Sequence, residues 1–113
     1  MEAFTKNVIK IIQHIPSGYV MTYGQIAKVA GKPRGARQVV RILHSMSGKY
    51  ELPWHRVINI KGEIVIQDDE GAYTQKALLE SEGICFRGNK VLNLEKYRYK
   101  PDADFLEKEL QSF

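Results

Sequence analysis

The segment from Thr22 to Ser47 constrains this chain more tightly than any other. Thr22 is followed three places later by Gln25, so a hydroxyl and an amide can each satisfy an orphan backbone N–H at the start of a short helix. That helix is expected over about Tyr23 to Ala30, ending at Gly31, and a longer one from about Arg34 to Ser47. At 100° per residue, Val39, Ile42, Leu43 and Met46 share one stripe of the longer helix, whereas Arg34, Arg37, Arg41 and His44 fall within about 40° of the opposite direction. One side is core and the other a cationic ridge. Two helices joined by the turn Gly31-Lys32-Pro33, the second basic on its outer face, form a helix-turn-helix pattern. A solvated helix that happens to be rich in arginine is the competing reading.

Upstream, Phe4, Val8, Ile11, Ile12 and Ile15 recur at helical spacing, so residues 3–14 read as an amphipathic helix stopped by Pro16-Ser17-Gly18. Downstream, Val57 to Ile60 and Glu63 to Ile66 flank Lys61-Gly62, the signal of a small hairpin or wing. A helix is expected from about Tyr73 to Glu82, ending at Gly83, and a second hairpin where Ile84 to Phe86 and Val91 to Leu94 bracket Gly88-Asn89. Pro101 and Asp102 open a C-terminal helix whose Phe105, Leu106, Glu109, Leu110 and Phe113 make a partly apolar face for docking. With 113 residues and no linker or repeat, one domain over 1–113 is expected.

Charge is distributed unevenly. Residues 1–61 carry ten Lys/Arg against Glu2 and Glu51, a net +8, while the remainder carries seven against eleven, a net −4. Such asymmetry suits a face that meets a polyanion. MEAFTKNVIKIIQHIP lacks the basic region and apolar block of a signal peptide, and no apolar run approaches the roughly 20 residues of a membrane span, so an intracellular, cytoplasmic protein is expected. The single Cys85 sits in what reads as a short apolar strand, where a protonated structural thiol is expected. His14, His44 and His55 are not spaced as zinc ligands, so neither metal nor cofactor is expected.

The chemistry concentrates in LPWHRV, Leu52 to Val57. A tryptophan held behind Pro53 and followed by a proton carrier, His55, and a permanent cation, Arg56, reads three ways: core filling, a stacking platform, or the occupant of a position where another protein keeps a reactive group.

SGYVMTYGQIAKVAGKPRGARQVV, then PWHRV, then KALLESEG resembles, in order, the DNA-binding domain of O6-alkylguanine-DNA alkyltransferases, whose signature is Pro-Cys-His-Arg-Val. Trp54 stands at the cysteine's place, the mark of the alkyltransferase-like proteins, the family's non-enzymatic relatives. The resemblance implies a mostly α fold with small β-hairpins, a winged helix-turn-helix-like domain of the alkyltransferase type. It also implies a protein that binds duplex DNA carrying O6-alkylguanine through the minor groove, flips the base into a pocket and transfers nothing, because indole has no thiolate to attack an alkyl carbon. Nucleotide excision repair proteins are then the implied partners, and the protein is expected to act as a monomer.

By position, Trp54, His55, Tyr23, Glu82 and Gly71 match the lesion pocket, His55 and Glu82 being the places of the family's proton relay. Arg37 matches the arginine that fills the gap left by the flipped nucleotide, and Tyr23 the tyrosine that crowds the adjoining phosphate. Arg34 and Arg41 are expected on phosphates, with Thr22 and Gln25 counted among the DNA-facing residues, and Arg56 is expected to pair with a carboxylate that holds the pocket loop. Departures from the family pattern are Met46-Ser47-Gly48 in place of an Asn-Pro hinge, Val40 and Arg41 in place of small residues, and IQDDEGAY in place of a glycine-rich segment. The last leaves the roles of Asp68, Asp69 and Glu70 open. Two other classes remain: an alkyltransferase using another nucleophile, for which Cys85 is the only thiol, and a helix-turn-helix transcription regulator.

Overall fold

The computed structural model describes every residue except Val65, Gln67, Ser112 and Phe113. Helix α1, Ala3–His14, forms as its apolar spacing requires, burying Phe4, Val8, Ile9, Ile11 and Ile12. The two-residue strand β1, Met21–Thr22, leads into α2, Tyr23–Ala30, through the full capping box: Gln25 N–H donates to Thr22 Oγ1 at 3.1 Å and Thr22 N–H to Gln25 Oε1 at 3.4 Å. Gly31 ends the helix at φ 113, a left-handed conformation that glycine adopts without strain.

Helix α3 spans Ala36–Tyr50 rather than Arg34 to Ser47. Its start is displaced because Gly35 N–H closes a turn onto Lys32 O at 2.8 Å, which spends Pro33 and Arg34 on the turn and lengthens the connection between the helices. Gly35 is needed there, since a Cβ would stand 3.0 Å from both Phe4 and the Lys32 carbonyl. At the other end the helix runs through Gly48 and stops only where Glu51, at φ 51, turns its N–H onto Ser47 O. Val39 and Leu43 are buried on the expected stripe, with Ile42 and Met46 packed partly against the same core.

The chain then passes through a 3-10 turn, Trp54–Arg56, into strand β2, Val57–Ile58. Among the described residues, the expected hairpin between Val57 to Ile60 and Glu63 to Ile66 does not form. β2 pairs in parallel with β1 (Met21 with Val57, Thr22 with Ile58), and Glu63 bridges Lys90 instead; Val65 lies outside the described residues. The reason is burial. Successive strand residues point to opposite faces, so Met21 and Val57 enter the large core under α1–α3 while Val20 and Ile58 enter a second cluster with Leu79, Ile84 and Val91. A hairpin would have left one of those faces in water. Asn59 accepts from the Lys61 and Glu63 N–H groups and turns the chain away.

Helix α4 spans Asp69–Ser81, beginning before the expected Tyr73 because Asp68 caps it, accepting from Gly71 N–H at 2.9 Å. Asp69 and Glu70 in its first turn favour the same start through the helix dipole. Strands β3, Phe86–Arg87, and β4, Lys90–Val91, make the expected antiparallel hairpin. Cys85, expected in an apolar strand, precedes β3 and is exposed; Ile84 takes the buried position. A short helix α5, Leu94–Tyr97, follows, and α6, Ala103–Glu109, starts at Asp102 as expected, its Phe105 and Leu110 packing on the main core. Phe113 lies outside the described residues.

Asn7 ties the C-terminal segment to this core. Buried in α1, it donates to Ala30 O at 3.1 Å and Gln111 O at 2.8 Å and accepts from Gln111 N–H at 2.8 Å. Asn7→Ala is expected to cost about 2 kcal/mol, because three backbone groups, the buried Ala30 carbonyl among them, lose their partner. Urea denaturation measures the loss, and faster exchange of the Gln111 amide proton locates it.

Candidate nucleic-acid interface and base pocket

On the ridge of α3, Arg37, Arg41 and His44 are exposed, as is Arg34 in the turn before it. None of the three arginines makes an ion pair among the described residues. The ridge is therefore free to meet a polyanion. Thr22 and Gln25 do not belong to it: Thr22 is 3% exposed with its hydroxyl oxygen capping α2, and the Gln25 amide serves the cap and Tyr99 O. The capping motif buries Thr22 and leaves Gln25 half-buried, apart from the arginine ridge.

A cleft of about 320 Å³ opens beside the ridge, lined by Tyr23, Val40, Leu43, His44, Ser47, Trp54, Ile66 and Gln75. Val40, Leu43, His44 and Ser47 recur at the three- and four-residue spacing of one helix face, and Arg37 lies one turn further toward the N-terminus of that face. Tyr23 enters from the first turn of α2, and burial raises its hydroxyl above the ordinary tyrosine value, so it remains a donor at neutral pH.

Trp54 reaches the cleft by a local backbone device. Pro53, at φ −74 and ψ 68, makes an inverse γ-turn in which Trp54 N–H donates to Leu52 O at 2.7 Å. The 3-10 turn then leaves the indole half-buried, packed against the main core on one side and bordering the cleft on the other. Gln75, 3% exposed on α4, holds this turn from below by donating to the His55 and Val57 carbonyls at 3.2 and 3.1 Å.

Behind Trp54, one carboxylate gathers the next two residues. Glu82, at the C-terminal cap of α4, accepts from His55 Nε2 at 2.8 Å, from Arg56 Nε and Nη2 at 3.0 and 2.8 Å, and from Gly18 N–H at 3.2 Å. Arg56 Nη1 also donates to Ile15 O at 2.9 Å, which places the arginine in the structural role expected of it. Burial by itself raises the Glu82 carboxyl, but the hydrogen bonds from Arg56, His55 and Gly18, with the charge of His55, outweigh it and bring the group down to about 2.

Of the five residues matched to a lesion pocket, Tyr23 and Trp54 line the cleft. His55 and Glu82 stand behind Trp54, and Gly71 sits in the first turn of α4 against Ile66, where a Cβ would come within 3.1 Å of that side chain. Asp68, Asp69 and Glu70 cap and charge the start of α4. Sequence reasoning missed Gln75, Ile66 and Ser47. The α3 face was discoverable from helical spacing, whereas nothing local marks a buried glutamine. Among the described residues no group of His, Cys, Asp and Glu is placed to hold a metal, and no helix is long and apolar enough to cross a membrane.

The family described as 6-O-methylguanine DNA methyltransferase, DNA binding domain, matches residues 3–84. Over 98 residues, 87% of this chain and 75% of the relative, the sequence is 41% identical to a protein of Escherichia coli (strain K12) named DNA base-flipping protein. Over 106 residues, 89% of this chain and 98% of the relative, it is 40% identical to alkyltransferase-like protein 1 of Schizosaccharomyces pombe. The fold matches a crystal structure of S. pombe Atl1 in complex with damaged DNA containing O6-carboxymethylguanine, with a TM-score of 0.76 and 39% identity over 89% of this chain and 98% of that one.

The Glu82 cluster carries a pH signature. The folded carboxyl lies below its ordinary 4.5, so its contribution to stability is complete above that value and is lost as pH falls from 4.5 toward 2. Glu82→Gln is expected to cost about 2 kcal/mol at neutral pH, where Arg56 loses its counter-charge. The gap from the parent protein should narrow through that acid window in urea titrations, and a gap independent of pH would refute the assignment.

Proposed function

The chain belongs to the family of 6-O-methylguanine DNA methyltransferase DNA-binding domains, and from that membership we infer that it recognises O6-alkylguanine in duplex DNA by flipping the base into the Trp54 cleft. The observation that carries this reading is the position of Trp54, which walls the cleft at the place of the family's cysteine and directly precedes the His55–Glu82 pair. The proton relay has nothing to serve there. Indole holds no ionisable soft nucleophile, so the alkyl group is contacted and left in place.

Extruding a weakly paired lesion is only modestly expensive, and an aromatic wall accommodates adducts of different size. Arg37, on the cleft's own helix face, fills the vacated position in the duplex from the minor groove, its planar cation stacking on the orphaned partner base. Tyr23 crowds the phosphate beside the target, and Arg34 and Arg41 hold neighbouring phosphates. The protein acts as an intracellular monomer, and the stable complex marks the lesion for nucleotide excision repair proteins. The relatives named for base flipping and for likeness to alkyltransferases support a role without chemistry.

Cys85, although exposed, does not line the cleft. Incubation with alkylated oligonucleotide is therefore expected to leave the intact mass of the protein unchanged. A gain of one alkyl group would restore the enzyme reading. Arg37→Ala is expected to weaken binding of a lesion duplex more than Arg34→Ala, by roughly tenfold against two- to threefold, since it removes the plug as well as a charge. Titrations of alkylated and plain duplexes at one salt concentration check this, and equal affinities for the two duplexes would refute lesion recognition.

A further inference from the structure

The cleft is mostly apolar, and its polar groups differ in what they offer a flipped adduct. Ser47 spends its hydroxyl hydrogen on the Leu43 carbonyl, and Gln75 spends its amide hydrogens on the 3-10 turn. Tyr23 stays neutral because burial raises its hydroxyl. His44 is different. It projects from α3 into the cleft lining, is exposed, and has no described hydrogen bond or ion pair that commits its ring. Among the described lining residues it is the only one able to carry a positive charge.

The charges around it come from three elements. On its own helix the neighbouring charges are Arg37 and Arg41; across the cleft α2 contributes Tyr23, the 3-10 turn Trp54 and α4 Gln75. Two carboxylate groups flank the cleft: at the start of α4, Asp68 lies beside the lining residue Ile66 and accepts from Gly71 N–H, with Asp69 and Glu70 next to it, while Glu82 is held by His55, Arg56 and Gly18. Among the described residues none of these carboxylates forms an ion pair with His44.

We propose that His44 is a specificity-determining residue that makes this cleft favour O6-guanine adducts bearing a carboxylate, and that it does so in proportion to its protonation. The proposal rests on the lesion-recognition reading above and names the adduct class which that reading leaves open. A carboxymethyl ether keeps its charge throughout the range from 5.5 to 8, so a pH dependence of its preference over a neutral adduct comes from the protein. A cation facing a carboxylate at contact distance in a partly dry cleft gives roughly a five- to tenfold preference.

The test compares two duplexes of matched adduct shape, one carrying O6-carboxymethylguanine and one O6-isobutylguanine, with a plain duplex as the third arm, at pH 5.5 to 8 and fixed ionic strength. Taking the ratio of the two lesion affinities removes the phosphate contribution that both share. The carboxymethyl preference is expected to rise roughly five- to tenfold from pH 8 to pH 5.5. In His44→Gln the ratio should no longer depend on pH, and in His44→Arg it should hold its acid-side level throughout. Both variants change an exposed side chain, so thermal melts should match the parent. If both lesions bind above the plain duplex but their ratio ignores pH, or follows pH equally in His44→Gln, the His44 proposal is overturned and lesion recognition stands. If all three duplexes bind alike, lesion recognition falls and takes this inference with it.

Discussion

One carboxylate holds the site together. Glu82 receives hydrogen bonds from the loop after α1 through Gly18, and from both residues that follow Trp54. Arg56 passes the restraint on to the Ile15 carbonyl. Three segments far apart in sequence therefore converge on one point, with Glu82 12% exposed in its side chain and both oxygens occupied. A network of this kind is valuable only when complete, because each buried partner is costly once orphaned. The indole's position follows from it: Trp54 stands between the Pro53 turn and two side chains that cannot move independently.

This arrangement separates two jobs that a catalytic relative must combine. A proton relay needs His55 and Glu82 to exchange charge with a nucleophile, whereas a structural clamp needs them to stay put. Here the hydrogen bonds hold the turn after Trp54 in place, and the low value of the Glu82 carboxyl reflects a group committed to remaining ionised. The cationic ridge on α3 stands free of ion pairs among the described residues, with the cleft beside it. The two features share a helix and meet at Arg37 and His44.

What could be read from the sequence was local. The apolar period of α1, the Thr22–Gln25 box, the turn at Gly88-Asn89 and the Asp102 cap each reside within a few residues, and each formed as expected. What could not be read was long-range pairing. Val57–Ile58 and Glu63 carry alternation and a turn consistent with a hairpin, yet their partners are Met21–Thr22 and Lys90, chosen by which faces two separate apolar clusters can cover. The same limitation hid Gln75, whose two carbonyl acceptors are 18 and 20 residues away. Thr22 shows the converse: a motif read correctly for its cap was also counted as surface, although the helix start it caps is buried.

The parallel pairing of β1 with β2 has a bearing on how the molecule is born. Helices α1 to α3 need only near neighbours in the chain, but Trp54 is anchored only after a strand has travelled across α2 and α3 to meet its partner, and such distant closures come late in folding. An immature chain consequently presents its arginines before it owns a receptacle. The basic helix is thus complete before β2 docks, and the cleft beside it only afterwards.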